Sequence, residues 1–344
     1  MIQIKLSTNS SDFPLIWQTP GGKGIWGDCQ FILDSDLEEC DYWFIYEGIK
    51  RIETTRCPRS NIIFITGEPP EIRRYNPLFL HQFAKVLTSQ PIIIHRHVVH
   101  TQTGLPWLIG IKYDRSARRW GSHTICSYDV LRSSEPKKNK MMSVVISNKD
   151  SIKGHRKRLD FVRKLQERFH DEIDFFICGE VILEDKWDAI KDYRYTIVIE
   201  NAICPDYWTE KLADAYLGLS YPIYYGCPNL GSYFPEDSFT RIDIDDFEAS
   251  ARTIGGLLRR DIYDERLDAL RIAKSLVLEK YNLFALMADQ CREISGQRKE
   301  PIRIKLEIVP TMKELRKAIL YRMRTLPKTL ITHDNHNAGM GCPK

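Results

Sequence analysis

The sequence predicts an α/β protein made of two consecutive domains with parallel sheets. Short apolar runs rich in β-forming residues recur along the chain, separated by longer polar or Gly/Pro-containing segments, which is typical of parallel sheets with helical crossovers. A charged, proline-containing segment at 133–140 interrupts the series, and a second series begins directly after it. The chain length of 344 residues agrees with this interpretation, because it is enough for about two domains.

The first series gives an N-terminal domain over residues 1–135. Its predicted strands lie at 2–6, 42–46, 61–65, 85–87 and 92–94. Ligands of open α/β sheets bind at the C-terminal ends of the strands. Glu68 lies just beyond the strand 61–65, separated from it by Thr66 and Gly67. Glu68 is therefore placed at the edge where a ligand would bind.

The second series gives a C-terminal domain over residues 141–300. Its predicted strands lie at 141–147, 173–178, 193–200 and 221–226, and its predicted helices at 155–170, 209–219, 247–276 and 278–296. The remaining segment, 301–344, is predicted to contain a basic amphipathic helix over 311–324 and a loose tail. That helix has two interpretations, attachment to a membrane surface or packing across the domain interface, and packing is preferred.

Composition narrows the class of protein. With 43% hydrophobic and 28% charged residues the chain is ordinary for a globular protein, and its net charge of +4 does not indicate a nucleic-acid binder. The nine cysteines are never spaced as CxxC, which favours reduced thiols over disulfides or a zinc site. The sequence shows neither a signal-peptide pattern nor the ~20 apolar residues of a membrane span. We therefore expect a cytoplasmic protein, with helix 311–324 touching the inner face of the membrane as an alternative.

The segment 193–247 predicts a phosphate-binding site. Its order of strand, polar loop, helix and strand is a βαβ unit, which holds phosphates at the loop before the helix. Lys211 stands at the helix start, where unpaired N–H groups add positive potential, and either Thr209 or Asp206 can cap that helix. Because a carboxylate repels phosphate, Glu210 is better suited to accept hydrogen bonds from sugar hydroxyls.

The same segment resembles the donor-binding region of the family 10 glycosyltransferases, the α1,3/4-fucosyltransferases. The matching residues are Glu200-Asn201, Cys204-Pro205-Asp206-Tyr207, Thr209-Glu210-Lys211, Pro222, Tyr224-Tyr225-Gly226 and Pro228-Asn229. The resemblance extends over 141–180, and within 1–130 it is limited to the Gly67-Glu68 context. It implies the GT-B architecture, in which two Rossmann-like domains face a cleft, the donor binds the C-terminal domain and the acceptor enters from the N-terminal side.

The resemblance also implies an activity, that of an inverting hexosyltransferase of the fucosyltransferase type. It would move L-fucose from GDP-fucose to a hydroxyl of an acceptor glycan, N-acetylglucosamine or glucose, in an α1,3-type linkage. Lys211 is then expected to hold the diphosphate. Glu210 and Asn201 would position the ribose or the fucose, and Tyr207 would line the donor pocket.

The resemblance also gives roles to Arg158 and Glu68, and each of these residues has an alternative nearby. Arg158 matches the arginine that contacts the donor phosphates in the family, and an arginine fork suits bidentate phosphate binding, but Arg156 lies in the same basic cluster. Glu68 aligns with the family's proposed catalytic base, and Glu71 is its competitor. A carboxylate at the cleft can remove the acceptor proton as the hydroxyl attacks.

No metal or other cofactor is expected. Asp243, Asp245 and Asp246 suggest a DxD metal motif, but they follow the βαβ unit at a strand end and are interpreted as structural. His97 and His100 have no cysteine or carboxylate at close spacing to complete a metal site. Two alternative functions remain: the same fold with another nucleotide sugar, or a non-catalytic module that binds a glycan or nucleotide.

Overall fold

Two mainly parallel β-sheets organise the protein, and central strands such as Tyr42–Tyr46 and Ile62–Ile65 are apolar and buried along their whole length, as expected of strands covered on both faces. The computed structural model describes residues 1–9, 13–114, 119–121, 123–181, 183–294 and 300–309. Both sheets belong to one unit, Met1–Ile308. The predicted helix 311–324 and the tail lie outside the described residues. In the described part of the chain, no helix is both long and apolar enough to cross a membrane.

The strands define the two sheets and two small additional pairs. They are β1 (Ile2–Thr8), β2 (Ile25–Trp26), β3 (Cys29–Leu33), β4 (Tyr42–Tyr46), β5 (Glu53–Cys57), β6 (Ile62–Ile65), β7 (Lys85–Thr88), β8 (Val98–His100), β9 (Tyr113–Asp114), β10 (Arg119–Trp120), β11 (Lys140–Ile146), β12 (Asp174–Ile177), β13 (Tyr193–Ile199), β14 (Tyr221–Tyr225), β15 (Thr240–Arg241) and β16 (Ile302–Leu306). The α/β class predicted from the sequence is confirmed by these two mainly parallel sheets, and the GT-B arrangement stays a prediction.

The helices pack against these sheets. They are α1 (Pro77–Leu80), α2 (Tyr128–Ser133), α3 (Lys153–Phe169), α4 (Glu210–Leu217), α5 (Phe247–Arg259), α6 (Tyr263–Glu279) and α7 (Leu283–Ile294). Short 3-10 helices lie at Leu15–Gln18, Pro20–Gly22, Arg59–Asn61, Lys186–Ala189, Leu230–Ser232 and Glu236–Ser238.

The first sheet has the order β2-β3-β1-β4-β6-β7-β8, and all neighbours are parallel except β2 and β3. The predicted strands at 2–6, 42–46, 61–65 and 85–87 are confirmed. The strand predicted at 92–94 is wrong. The chain leaves the sheet after β7, and Ile92 and Ile94 are 83% and 67% exposed instead of being buried in it.

The second sheet has the order β12-β11-β13-β14-β15, and all its neighbours are parallel. Its predicted strands and the helices at α3 and α4 are confirmed. The helical residues predicted over 247–276 are confirmed, but they form two helices, because the chain breaks between α5 and α6. Asp261 lies in that break and accepts hydrogen bonds from the Tyr195 hydroxyl at 2.7 Å and the Tyr263 N–H at 3.0 Å. Asp261 thus ties the start of α6 to β13.

The last described elements return to the first sheet. Phe284 of α7 packs edge-to-face on Phe31 with ring centroids 5.0 Å apart, and Tyr42 donates a hydrogen bond to the Cys291 carbonyl at 3.0 Å. β16 pairs antiparallel with β5. The hydrophobic core around the first sheet is therefore completed by residues from the far end of the chain, while the predicted boundaries 1–135, 141–300 and 301–344 stay a prediction.

Candidate active site

A cavity of about 640 Å³ lies where the C-terminal ends of β6, β11, β12 and β13 come together. The six residues predicted from the sequence all line it: Glu68, Arg158, Asn201, Tyr207, Glu210 and Lys211. Glu71, the alternative to Glu68, lines it too. Residues almost 150 positions apart in the sequence thus meet in one cavity, although their individual roles stay predictions.

The start of α4 is organised by Glu200, the residue after β13. Its buried carboxylate accepts hydrogen bonds from the backbone N–H and hydroxyl of Thr209, both at 2.8 Å, and from Lys211 Nζ at 3.2 Å. The Thr209 hydroxyl caps α4 by accepting from the Lys211 N–H at 3.3 Å. Asp206, the other predicted cap, instead accepts from Asn229 and Tyr233 at 2.7 Å each. The alternative left open by the sequence is therefore resolved in favour of Thr209.

Lys211 lies between two carboxylates. Its Nζ is 3.2 Å from Glu200 and 3.3 Å from Glu210, and these two charges raise its pKa despite burial. Burial alone would raise the pKa of Glu210, but Lys211 and Lys186 outweigh it and lower that pKa to about 2. Both side chains are therefore charged at neutral pH and held in place before any ligand binds.

Arg158 of α3 is buried beside this cluster. Its guanidinium donates to Asn201 Oδ1 at 2.5 Å and to the Ser147 hydroxyl at 2.9 Å, so one arginine links the ends of β11 and β13. Among the described residues its Nε atom has no hydrogen-bond partner, and burial lowers its pKa. Arg156 is exposed and donates to the Asp150 carbonyl at 2.8 Å. The geometry therefore favours Arg158 as the arginine of the cavity.

The N-terminus of α3 also reaches the cavity, through Ser151, Ile152 and His155. Within the described part of the chain, the side chain of its N-cap residue, Ile152, makes no capping hydrogen bond. A Cβ atom on Gly154 would lie 1.9 Å from the Asn201 carbonyl oxygen, so only glycine allows this close approach. The first turn of α3 thus brings a partial positive charge to the same wall as Arg158 and Lys211.

Glu68 belongs to the opposite wall, formed by the first sheet. It is half-buried, and burial together with the charges of Glu47 and Glu210 raises its pKa, against a smaller opposite effect of Lys211 and Lys149. A raised pKa brings a carboxylate closer to the range in which it can exchange protons at neutral pH. The side chain therefore has the properties expected of a general base.

A second cavity of about 560 Å³ adjoins the first and shares Glu68 and Glu210 with it. Its lining includes Tyr46 and an edge-to-face aromatic pair, Phe13 and Trp120, whose ring centroids are 5.4 Å apart. The two glutamates therefore stand where one cavity opens into the other. A ligand in each cavity would meet at these carboxylates.

The acidic residues that resemble a metal motif have structural contacts. Asp245 pairs with Lys157 at 2.6 Å, Asp243 accepts from the Asp245 N–H at 2.9 Å, and Asp246 caps α5. The ring nitrogens of His95 face backbone groups: Nε2 lies 3.1 Å from the Phe83 carbonyl oxygen and Nδ1 lies 2.9 Å from the His97 carbonyl oxygen. Across the described ranges, no group of three or more His, Cys, Asp or Glu side chains is arranged to hold a metal ion.

Sequence reasoning missed several residues that shape these cavities. Ser147 directly follows β11 and Glu47 directly follows β4, so the preference of ligands for strand ends could have indicated them. Glu200, which the sequence match includes without a role, follows β13 in the same way. Lys186, which lines the first cavity and binds Asp214 at 2.7 Å, lies outside any such position. Only the folded structure reveals its place.

Comparisons with known proteins match part of the chain. Residues 135–261 match the model of glycosyltransferase family 10 (fucosyltransferase), C-terminal part. An alpha-(1,3)-fucosyltransferase, fut-1 of Caenorhabditis elegans, is 37% identical over 109 residues, which cover 30% of this chain and 24% of the relative. GDP-fucose protein O-fucosyltransferase 3 of Mus musculus is 34% identical over 23% of this chain and 16% of its own length. The matches thus span about a quarter or less of these curated relatives.

Solved structures give a similar picture at low sequence identity. An alpha1,3-fucosyltransferase with GDP has 16% identity and a TM-score of 0.45, covering 82% of this chain and 93% of that chain. An alpha1,3-fucosyltransferase with GDP-fucose has 16% identity and a TM-score of 0.43, covering 97% and 93%. The likeness to glycosyltransferase family 10 therefore rests on the sequence match over residues 135–261.

Proposed function

We propose that the protein is an inverting glycosyltransferase that moves L-fucose from GDP-fucose to a hydroxyl of an acceptor glycan. The observation that carries this proposal is the meeting of Glu68 with the basic residues of the second sheet in one cavity. The match to the fucosyltransferase family model supports GDP-fucose as the donor, because the matched region contains the residues of the basic wall.

The wall formed by α3 and α4 is assigned to the donor. Arg158, Lys211 and the N-terminus of α3 would bind the diphosphate, since all three supply positive charge or N–H donors to one cavity. Asn201 and Glu210 would accept hydrogen bonds from ribose or fucose hydroxyls, and the buried ring of Tyr207 would form part of the pocket. The same positive groups would stabilise the charge that develops on GDP as it leaves.

Glu68 is assigned as the base. The acceptor hydroxyl loses its proton to the Glu68 carboxylate while its oxygen attacks the anomeric carbon of fucose from the side opposite GDP. The new C–O bond forms as the bond to the diphosphate breaks, so the configuration at that carbon inverts. A base with a raised pKa suits this step, because it takes up a proton more readily than an ordinary carboxylate.

The acceptor is assigned to the second cavity, because that cavity meets the first at Glu68. The Phe13–Trp120 pair offers an aromatic wall for the apolar face of a sugar ring. N-acetylglucosamine or glucose, linked through an α1,3-type bond, is the proposed acceptor unit. We further propose that no metal is required, because positive side chains would stabilise the charge on the leaving diphosphate as a metal ion does in other enzymes. The cytoplasmic location stays a prediction.

Calorimetric titration with GDP, GDP-fucose, GDP-mannose and UDP tests the donor, together with GDP release from GDP-fucose in the presence of N-acetylglucosamine. We expect GDP and GDP-fucose to bind, EDTA to leave binding unchanged, and Lys211→Ala to weaken it. Binding of UDP in preference to GDP would shift the proposal to another nucleotide sugar. Tight GDP binding without any turnover on a panel of acceptor glycans would favour a non-catalytic module.

A further inference from the structure

We propose that Glu47 is a positioning residue that fixes the backbone of the catalytic base Glu68 from within the first sheet. This inference rests on the proposed function, in which Glu68 removes the acceptor proton. Glu47 follows β4 directly and its φ angle is 66°, a left-handed conformation that non-glycine residues seldom adopt. The unusual backbone turns the carboxylate toward the neighbouring end of β6.

The contacts of Glu47 converge on the two residues that form the loop of the base. Its Oε1 atom accepts hydrogen bonds from the backbone N–H of Gly67 and from the N–H of Glu68, the latter at 3.1 Å. A Cβ atom on residue 67 would lie 3.0 Å from this same oxygen, so glycine is the residue that lets the loop approach the carboxylate. The loop thus depends on a side chain twenty positions earlier in the sequence.

The carboxylate of Glu47 is itself held by two side chains. Arg73 donates to Oε2 at 2.9 Å, and the Tyr75 hydroxyl donates to Oε1. On the other side of the loop, buried Gln90 donates from Nε2 to the Glu68 carbonyl at 2.7 Å and to the Arg73 carbonyl at 2.8 Å. Both backbone groups of Glu68 are therefore fixed, and its side chain alone remains to meet the ligands.

Glu47 also influences the charge of the base. The charged groups acting on Glu68 are the carboxylates of Glu47 and Glu210, which raise its pKa, and Lys211 and Lys149, which lower it. A variant without the Glu47 charge should therefore ionise Glu68 at lower pH. A residue that only supported the fold would leave the pH dependence of turnover unchanged.

Two variants of Glu47 separate geometry from charge. Glu47→Gln keeps a carbonyl oxygen that can accept from the Gly67 and Glu68 amides but removes the charge, whereas Glu47→Ala removes both. Glu53→Gln is the matched control, because Glu53 is another buried, ion-paired glutamate of the N-terminal part, 2.9 Å from Lys5. Two readouts are measured: GDP release from GDP-fucose with N-acetylglucosamine between about pH 4.5 and 9, and amide hydrogen exchange of the peptide 62–72.

We expect Glu47→Gln to move the acid limb of the kcat profile to lower pH, and Glu47→Ala to reduce kcat about ten- to a hundredfold with little change in KM for GDP-fucose. Exchange in 62–72 should accelerate in Glu47→Ala, and Glu53→Gln should alter neither readout. An active wild type whose profile and kcat are matched by both Glu47 variants overturns the inference, as does an equal effect of Glu53→Gln. A folded wild type that is inactive with GDP-fucose contradicts the proposed function instead, and unchanged exchange in Glu47→Ala then still overturns the role of Glu47.

Discussion

Glu68 and Glu210 are two glutamates that line the same two cavities, yet their surroundings move their pKa values in opposite directions. Glu210 lies beside Lys211 and near Lys186, which lower its pKa to about 2. Burial and the charges of Glu47 and Glu210 raise the pKa of Glu68, against a smaller opposite effect of Lys211 and Lys149. Environment rather than residue type thus keeps one carboxylate charged and suits the other to the proton transfer that we propose.

The largest effect on turnover is expected when the Glu68 carboxylate is removed and the basic wall is left unchanged. Glu68→Gln should reduce kcat by about 10²- to 10⁴-fold, because an amide cannot take up the acceptor proton. The affinity for GDP, measured by calorimetry, should stay within a fewfold of the wild type, since the basic wall is intact. If Glu71→Gln loses turnover to that extent while Glu68→Gln does not, Glu71 rather than Glu68 is the base.

Removal of a charge from the donor side should instead be visible in the stability of the protein. Lys211→Ala leaves Glu200, which is almost fully buried, without its cation, and we expect the free energy of unfolding to fall by about 3–5 kcal/mol. Denaturant unfolding of the protein without nucleotide measures this. The double variant Lys211→Ala, Glu200→Gln should be less destabilised than the sum of the two single variants. Full additivity would show that the two side chains do not act as a pair.

The two sides also differ in how well the sequence predicts them. On the donor side, residues 200–211 are contiguous, and the pattern of strand, loop and capped helix predicts their shared position from local rules. On the base side Glu68 could be found because it follows a strand. Its partners Glu47, Arg73 and Gln90 come from separate loops, and no local pattern links them.

The errors in the fold have a similar origin. The apolar run 92–94 satisfies the composition of a strand, but whether a run enters a sheet depends on neighbours that the sequence does not identify. The break between α5 and α6 depends on Asp261 contacting Tyr195, more than sixty residues earlier. The return of α7 and β16 to the first sheet is likewise a long-range choice. Local sequence patterns predict helices and strands well, but they predict poorly which segments pack against one another.

The opposite pKa shifts predict opposite effects on stability. Ionised Glu68 destabilises the fold once pH rises through its raised pKa, so Glu68→Gln should gain about 0.5–2 kcal/mol at pH 8 and lose that gain toward pH 4.5. Ionised Glu210 stabilises the fold above the ordinary carboxyl pKa, and this contribution is lost only as pH falls toward about 2. Glu210→Gln should therefore be less stable than the wild type at both pH values. Thermal unfolding at the two pH values measures both effects, and shifts of the same sign for both variants would contradict the comparison.

The smallest effect is expected at Tyr46, on the base side of the second cavity. Its hydroxyl is buried without a hydrogen-bond partner among the described residues, and burial together with the nearby carboxylates raises its pKa, so it stays protonated. Because an unpaired buried hydroxyl costs free energy, Tyr46→Phe should leave the free energy of unfolding unchanged or raise it by up to about 1 kcal/mol. Tyr75→Phe is the matched control, since its hydroxyl donates to Glu47, and it should lose about 0.5–1.5 kcal/mol.

The same two variants test whether the Tyr46 hydroxyl binds the acceptor. An acceptor hydroxyl placed beside Glu68 would be a suitable partner for a donor that otherwise has none in the described structure. We therefore expect Tyr46→Phe to raise KM for the acceptor about fivefold, which corresponds to about one hydrogen bond, and to leave KM for GDP-fucose unchanged. Steady-state kinetics with each substrate varied in turn measures this. An unchanged acceptor KM would leave the Tyr46 hydroxyl without a role in binding and restrict the acceptor contacts to other groups of the second cavity.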